Sequence, residues 1–169
     1  MTLVEFARVF LETALVGVVV TDASPHAPGP TILYANAAFG ALTGRQAAEI
    51  VGLTPRFMQG RETRRASLDA FARALAAGER YHGYLTNYRS DGGKYRVEID
   101  CRPLRGPNGA VDYFIAFERE VTRRIGRPAG GATGRYEATS VSNHLLTNPL
   151  LGLGVFQHDL GGNHLGNFR

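Results

Sequence analysis

The first periodic pattern along the chain is that of a helix with one apolar face. Between residues 2 and 14 the apolar positions lie three or four residues apart, at Leu3, Phe6, Ala7, Phe10 and Ala14. Because an α-helix turns once in about 3.6 residues, this spacing puts them on one side and the charged residues on the other. We predict an N-terminal amphipathic helix, residues 1–14, whose apolar stripe can pack across a sheet or pair with another chain.

Five further segments have the composition of strands. They are rich in β-branched and aromatic residues and are bounded by glycine, proline or asparagine, at 16–21, 31–34, 81–89, 94–103 and 111–122. The last three are separated by short turns that contain glycine. Two successive hairpins of this kind predict an antiparallel sheet.

Short helices fill the space between the second and third strands. Asn36 is placed to cap a short helix that Gly44 ends, and 46–51 can form one or two further turns. Thr54, followed by proline, is a favourable helix start, with the threonine as its cap. The clearest helix is predicted over 64–77, with leucine and phenylalanine on one face.

Composition narrows the classes of function. The chain has 169 residues, 44% hydrophobic and 20% charged, which suits one domain with a packed core. The net charge of +4 is not gathered into a long basic block, so we predict no nucleic-acid partner. The most apolar stretch, 15–20, is too short to span a bilayer, and no secretory leader is recognisable. We therefore predict a cytoplasmic protein without membrane insertion.

Catalytic and metal-binding patterns are missing from the sequence. Its single cysteine, Cys101, excludes an internal disulfide and a metal site built from cysteines. Three histidines, His144, His158 and His164, lie close to the C-terminus at spacings that are not typical of a metal site. No nucleophile and base occur in a recognisable order. We predict no enzyme activity, no catalytic residues and no metal.

Several motifs together resemble one family. Residues 52–60 read GLTPRFMQG, 87–92 read NYRSDG, and 34–39 read YANAAF. They resemble the flavin-contacting helix, G-x-N-C-R-F-L-Q-G, and the N-Y-R-K-D-G strand of PAS domains of the light-oxygen-voltage (LOV) subfamily. The resemblance covers roughly residues 14–122. It implies an α+β PAS fold: a five-stranded antiparallel sheet with short helices on one face, over 15–122.

The resemblance also implies a cofactor, flavin mononucleotide (FMN), held between the sheet and the helices. Carried over position by position, Arg56 and Arg73 would hold the phosphate, because guanidinium groups suit that geometry. Gln59 would contact the ribityl chain. Asn87 would contact the polar edge of the pyrimidine ring.

The departures from the family pattern lie mostly around the flavin ring. Pro55 stands where the family has its photoactive cysteine, so no thiol at that position can form an adduct. Thr54 and Val97 replace asparagines that would contact the ribityl chain and the ring. Ala116 replaces a glycine that lets the strand approach the ring.

The most consequential departure is Glu118, which replaces the signalling glutamine of the family. Strand alternation predicts that Glu118 points to the inner face, as does Cys101 on the neighbouring strand. An ionised carboxylate can only accept a hydrogen bond and is costly to bury unless it is paired or protonated. We expect Cys101 to behave as a small buried apolar residue rather than as a reactive thiol.

Two functions stay open on these observations. In the first, the chain is a stand-alone LOV-like sensory module that binds FMN without a cysteinyl adduct and signals by protein association. In the second, the pocket is vestigial and empty, and the domain serves as a scaffold in a larger complex.

The expected partner is another protein or a second copy of the chain. The 2–14 helix and the apolar segment 143–156 are the two candidate surfaces. The region 123–169 is glycine-rich and little charged, so we predict a linker and interaction tail that takes no part in the domain core.

Overall fold

The computed structural model describes residues 1–24, 26–123, 136–139 and 153–157. The helices in these ranges are α1 (Leu3–Phe10), α2 (Ala37–Thr43), α3 (Ala47–Ile50), a 3₁₀ helix (Pro55–Met58) and α4 (Arg65–Ala77). The strands are β1 (Gly17–Asp22), β2 (Ile32–Ala35), β3 (Tyr81–Tyr88), β4 (Lys94–Arg105), β5 (Val111–Arg123) and β6 (Tyr136–Ala138). Each element predicted within residues 2–122 is present, with bounds shifted by a few residues.

The strands form one antiparallel sheet in the order β2-β1-β5-β4-β3. The predicted hairpins pair β3 with β4 and β4 with β5, and β1 inserts between β2 and β5. The short strand β6 pairs with the end of β5 and was not predicted. The α+β fold with a five-stranded antiparallel sheet is confirmed.

Alternation along the strands divides the core into two layers. On the inner face Val19, Val97, Ile99 and Phe114 pack with Phe39 of α2 and Ile50 of α3. On the outer face Val18, Val20 and Phe117 pack with Ala7 of α1. Helix α4 also packs on the inner layer, through Leu68, Phe71 and Leu75. The inner face is therefore the side on which a ligand could lie between sheet and helices.

Helix α1 is shorter than predicted, because the apolar pattern continues to residue 14 whereas the helix ends at Phe10. It begins with a capping box in which the Thr2 hydroxyl accepts from the Glu5 amide (3.2 Å) and the Glu5 carboxylate accepts from the Thr2 amide (2.7 Å). Only part of its predicted stripe, Leu3, Ala7 and Ala14, packs on the outer face of the sheet. Phe6, Val9 and Phe10 stay exposed.

Asn36 connects the N-terminal segment with the core. As predicted it caps α2, accepting from the Phe39 amide at 2.9 Å. The same oxygen accepts from the Val18 amide, and the Asn36 amide group donates to the carbonyls of Leu11 and Val16, both at 3.0 Å. Since Asn36 is fully buried, these bonds satisfy every polar atom of its side chain while they fix the entry into β1.

The C-terminal segment contributes to the core, contrary to the prediction that it does not. Val155 is 1% exposed and Phe156 is 7% exposed in the outer apolar layer. The Phe156 amide donates to the buried carboxylate of Asp100 at 2.8 Å. Arg80 and Arg102 both bind the same carboxylate.

The two arginines extend this network to the segment's backbone. Arg102 donates to the carbonyls of Leu153 (2.9 Å) and Gly154 (2.8 Å), and Arg80 donates to that of Gln157 (2.7 Å). We call Asp100, Arg80 and Arg102 the Asp100 cluster. Guanidinium donors not used by Asp100 need other acceptors, and the segment 153–157 supplies them. The rest of the 143–156 segment and the three C-terminal histidines lie outside the described residues.

Candidate ligand-binding cavity

A cavity of about 250 Å³ lies between the inner face of the sheet, the 3₁₀ helix and α4. Its apolar walls come from the sheet and from α4, with Val19, Phe114, Ala116, Leu68, Phe71 and Leu75. Its polar or charged lining includes Thr54, Arg56, Gln59, Arg65, Asp69, Cys101 and Glu118. The cavity thus combines an apolar interior with a few fixed polar groups, which is the usual constitution of a small-molecule site.

The 3₁₀ helix brings Arg56 and Gln59 to the cavity, and both side chains are largely exposed. Thr54 lines the cavity too, but its hydroxyl makes no capping hydrogen bond. Its predicted role as a side-chain cap is therefore wrong. The 3₁₀ helix begins instead at Pro55, whose fixed φ suits the first helical position and which has no amide proton to satisfy.

The structure does not support the predicted phosphate role of Arg73. This residue is exposed and is not among those that line the cavity. The lining face of α4 runs through residues 65, 68, 69, 71, 72 and 75, and Arg73 lies about a third of a turn from the middle of this face. Arg65 lines the cavity instead and forms an ion pair with Asp69 (2.9 Å).

Asn87 and Val97 are buried on the inner face, but neither lines the cavity. The Asn87 amide and the Tyr95 hydroxyl both point to the sulfur of Met58, each at 3.8 Å. Met58 is 3% exposed. Its side chain therefore occupies the space beside the predicted ring contact of Asn87.

Glu118 is buried and faces the cavity, as predicted from strand alternation. It lies opposite Gly17 of β1 and Ile99 of β4. A side chain at Gly17 would come within 3.2 Å of the Glu118 carbonyl oxygen and of the Phe39 backbone, so glycine permits the close packing there. Among the described residues, the Glu118 Oε2 atom has no hydrogen-bond partner. Burial raises the pKa of this carboxyl to about 8.

Cys101 also faces the cavity, as predicted, and is 3% exposed. Burial raises the pKa of its thiol, and the nearby carboxyls of Glu118 and Asp100 raise it further. A thiol in these surroundings stays protonated, and a protonated thiol is a poor nucleophile. Pro55 contributes only apolar surface to the cavity.

The described part of the chain contains neither a cluster of metal-ligating side chains nor a membrane-spanning helix. No group of three or more histidine, cysteine, aspartate or glutamate side chains there could hold a metal ion. No helix within the described ranges is long and apolar enough to cross a membrane.

Sequence reasoning missed two charged residues that line the cavity and the methionine beside Asn87. Arg65 could have been found from its three-residue spacing to Leu68, and Asp69 from its four-residue spacing to Arg65. The position of Met58 beside Asn87 and Tyr95 has no comparable signal, because these residues come from separate elements.

Comparison with known proteins identifies the class. Residues 16–123 match the PAS domain family model, so the chain belongs to the PAS domain family. Within that family it is of the LOV type. It is 31% identical to the light-state LOV domain of the blue-light photoreceptor Aureochrome1, with a TM-score of 0.60 over 72% of this chain and 90% of that one. It is 30% identical to an RNA-binding LOV receptor, with a TM-score of 0.63 over 70% of this chain and 33% of that one.

The curated relatives are much longer than this chain, which matches only a small part of each. It is 32% identical over 112 residues to the nitrogen fixation regulatory protein of Klebsiella oxytoca, 66% of this chain and 22% of that protein. It is 32% identical over 120 residues to the blue-light-activated histidine kinase of Brucella abortus, 71% of this chain and 24% of that protein. The chain thus spans about a quarter of the length of these relatives.

Proposed function

We propose that this chain is a sensory module that binds FMN in the cavity and transmits its signal by association with another protein. The observation that carries the proposal is the buried Glu118 carboxyl, whose Oε2 atom faces a cavity without a partner among the described residues. Buried polar groups are nearly always satisfied, so such an atom indicates a ligand or ordered water.

The lining suits a planar aromatic molecule with an anionic end. Arg56 at the 3₁₀ helix is the proposed phosphate contact, because its guanidinium group can form two parallel hydrogen bonds to phosphate. Gln59 and Thr54 are the proposed contacts of the ribityl chain. Glu118 is the proposed contact of the polar ring edge. Asn87 would be a second contact once Met58, whose sulfur is a weak acceptor 3.8 Å from its amide, moves aside.

FMN, when bound, supplies absorption of blue light and redox chemistry. The chain's own residues bind and orient the ring and shield it from water. Because Pro55 has no thiol, we propose that the domain works without a cysteinyl adduct. We propose no enzyme activity for the domain itself and retain the cytoplasm as its compartment, both from the sequence.

The partner surface is proposed at α1. Its Phe6 and Phe10 rings lie 4.7 Å apart and are 43% and 59% exposed, and Val9 beside them is 67% exposed. A contiguous apolar patch of this kind is typical of a surface that another chain covers. A second copy of this chain and a different protein are both compatible with it.

The test is an absorbance spectrum of the purified chain after incubation with FMN, followed by titration with FMN and with riboflavin. We expect a structured blue-absorbing flavin band. Arg56→Ala should weaken FMN binding about tenfold, the loss of one charge-assisted contact, and leave riboflavin binding nearly unchanged. Arg73→Ala is the matched control, because Arg73 is an exposed arginine outside the cavity. A colourless protein that takes up no flavin would overturn the proposal and support the scaffold function.

A further inference from the structure

The cavity wall contains two carboxyl groups in opposite electrostatic situations. Asp69 accepts from the guanidinium group of Arg65 and is partly exposed. Glu118 is 4% exposed and has no ion pair within the described ranges. An isolated carboxylate in such a place loses its hydration without compensation, which is the most unfavourable state for a buried acid.

The groups that surround Glu118 do not supply a compensating charge. From β1 it faces Gly17, which has no side chain, and from β4 it faces Ile99. Its titratable neighbours on the inner face are the Cys101 thiol and the Tyr95 hydroxyl, both with pKa values raised by burial and by Glu118 itself.

Two charged pairs lie on the same side of the sheet, and each is internally neutralised. Glu120, two residues further along β5, binds Arg89 at 2.7 Å. Arg65 on α4 is bound to Asp69. Arg56, the other cation in the cavity lining, makes no ion pair with Glu118, whose Oε2 atom has no partner among the described residues.

We infer that Glu118 acts on the ligand as a neutral carboxylic acid, donating one hydrogen bond to a carbonyl or ring-nitrogen acceptor, so that ligand binding in alkaline solution takes up a proton. The neutral acid has the hydroxyl donor that the ionised form lacks. The identity of the ligand rests on the proposed FMN site, whereas the protonation state of Glu118 rests on the cavity alone.

A neutral Glu118 fixes the direction in which ligand affinity depends on pH. Below the pKa of about 8, Glu118 is already protonated and the affinity for the ligand is constant. Above that pKa the carboxyl must first take up a proton, so the dissociation constant should rise by up to tenfold per pH unit. Glu118→Gln keeps a donor and removes the titration, so its affinity should stay constant over the same range.

The first experiment examines the protein without ligand. An infrared difference spectrum between the wild type and Glu118→Gln should contain the carbonyl stretch of a protonated carboxyl at pH 6.5, and this band should disappear by pH 9.5. Absence of the band at pH 6.5 would overturn the inference, because Glu118 would then be ionised in the empty cavity.

The second experiment measures the dissociation constants of FMN and riboflavin between pH 6.5 and pH 9.5. The rise above pH 8 should occur for both ligands in the wild type and in Glu120→Gln, a control acid on the same face of β5, and vanish in Glu118→Gln. Flavin binding that is independent of pH in the wild type would overturn the inference and leave the FMN site standing. Failure to bind either flavin at any pH would overturn the proposed function, and the infrared band would then alone confirm or refute the neutral acid.

Discussion

Burial of a single carboxyl makes Glu118 costly to the folded state at neutral pH. Its pKa is raised by burial from 4.5 to about 8, so the folded chain binds more protons than the unfolded chain between these values. Stability linked to Glu118 is therefore present at low pH, falls as pH rises through this interval, and levels off above about 8. A polar group that is retained despite such a cost is a common property of functional sites.

Replacement of Glu118 by glutamine should stabilise the protein, and increasingly so with pH. The gain over the wild type should grow by up to about 1.4 kcal/mol per pH unit between pH 5 and pH 8. Urea unfolding at pH 5, 7 and 8.5 measures it. Glu120→Gln, which removes an ion-paired and partly exposed acid, should show no such growth. A gain for Glu118→Gln that is the same at all three pH values would contradict the buried, unpaired state of the acid.

Cys101 and Pro55 set the expected photochemistry. If FMN binds, illumination should not give the bleached spectrum of a thiol adduct, because Pro55 has no sulfur and the Cys101 thiol is held protonated by burial. Absorption spectra before and after blue light, for the wild type and Cys101→Ser, measure this. Bleaching that occurs in the wild type and is lost in Cys101→Ser would show that Cys101 reacts.

At the scale of elements, the sequence predicts strands more completely than helix faces. Side chains along a strand alternate between the two faces of the sheet. Once the inner face is known, both Glu118 on β5 and Cys101 on β4 are therefore predicted to point to it. On a helix a shift of one residue rotates a side chain by about 100°, so the resemblance that proposed Arg73 as a phosphate contact did not establish that it faces the cavity, which Arg65 lines instead. The bounds of α4 were predicted within one residue, yet its rotation depends on contacts with the sheet.

The docking of 153–157 could not be predicted, because its partners converge from different strands. Arg80 precedes β3, whereas Asp100 and Arg102 belong to β4, and the segment follows some fifty residues later. Composition alone described this region as a tail. In the structure the Asp100 cluster binds the backbone of this segment, and the outer apolar layer buries Phe156.

The Asp100 cluster should make the free energy of unfolding depend on pH in acidic solution. Arg80 and Arg102 hydrogen bond the Asp100 carboxylate and lower its pKa to about 2, although burial opposes them. The resulting stabilisation is present above about pH 4 and is lost as pH falls toward 2. Asp100→Asn should therefore cost on the order of 3 kcal/mol at pH 7, because two arginines lose their acceptor, and less at pH 3. Urea unfolding at both pH values measures it, with the exposed Asp112→Asn as control. Equal costs at the two pH values would contradict the ion-paired state.

At the scale of the whole molecule, the proposed ligand site and the proposed association surface lie on opposite faces of the sheet. The cavity lies on the inner face of the sheet, and α1 and the segment 153–157 cover the outer face. The domain core therefore extends beyond the region 15–122 that the sequence defined.

Truncation after Thr122 should lower the melting temperature, because it removes two buried side chains worth about 1.5–3 kcal/mol each. Phe156→Ala in the full chain should reproduce part of this loss. A truncated chain that melts with the wild type would contradict the contribution of the segment to the core.

Association should depend on α1 separately from stability. Phe6→Ser with Phe10→Ser removes exposed apolar surface, so we expect little change in melting temperature and a loss of association in light scattering. Val51→Ser removes an exposed apolar side chain outside both candidate surfaces and serves as the control. Association that persists in the α1 variant would assign the partner surface to a different part of the chain.

The single-layer sheet has a practical consequence for spectroscopy. Glu118 points into the cavity, and the next residue, Arg119, points to the other side, where its guanidinium group lies 4.2 Å from the Phe156 ring and donates to Glu98 at 2.7 Å. One peptide unit thus separates the two environments. An isotope label on the Arg119 amide would be a built-in reporter: its resonance would sense titration of the acid on one side and release of the aromatic ring on the other, in a single measurement.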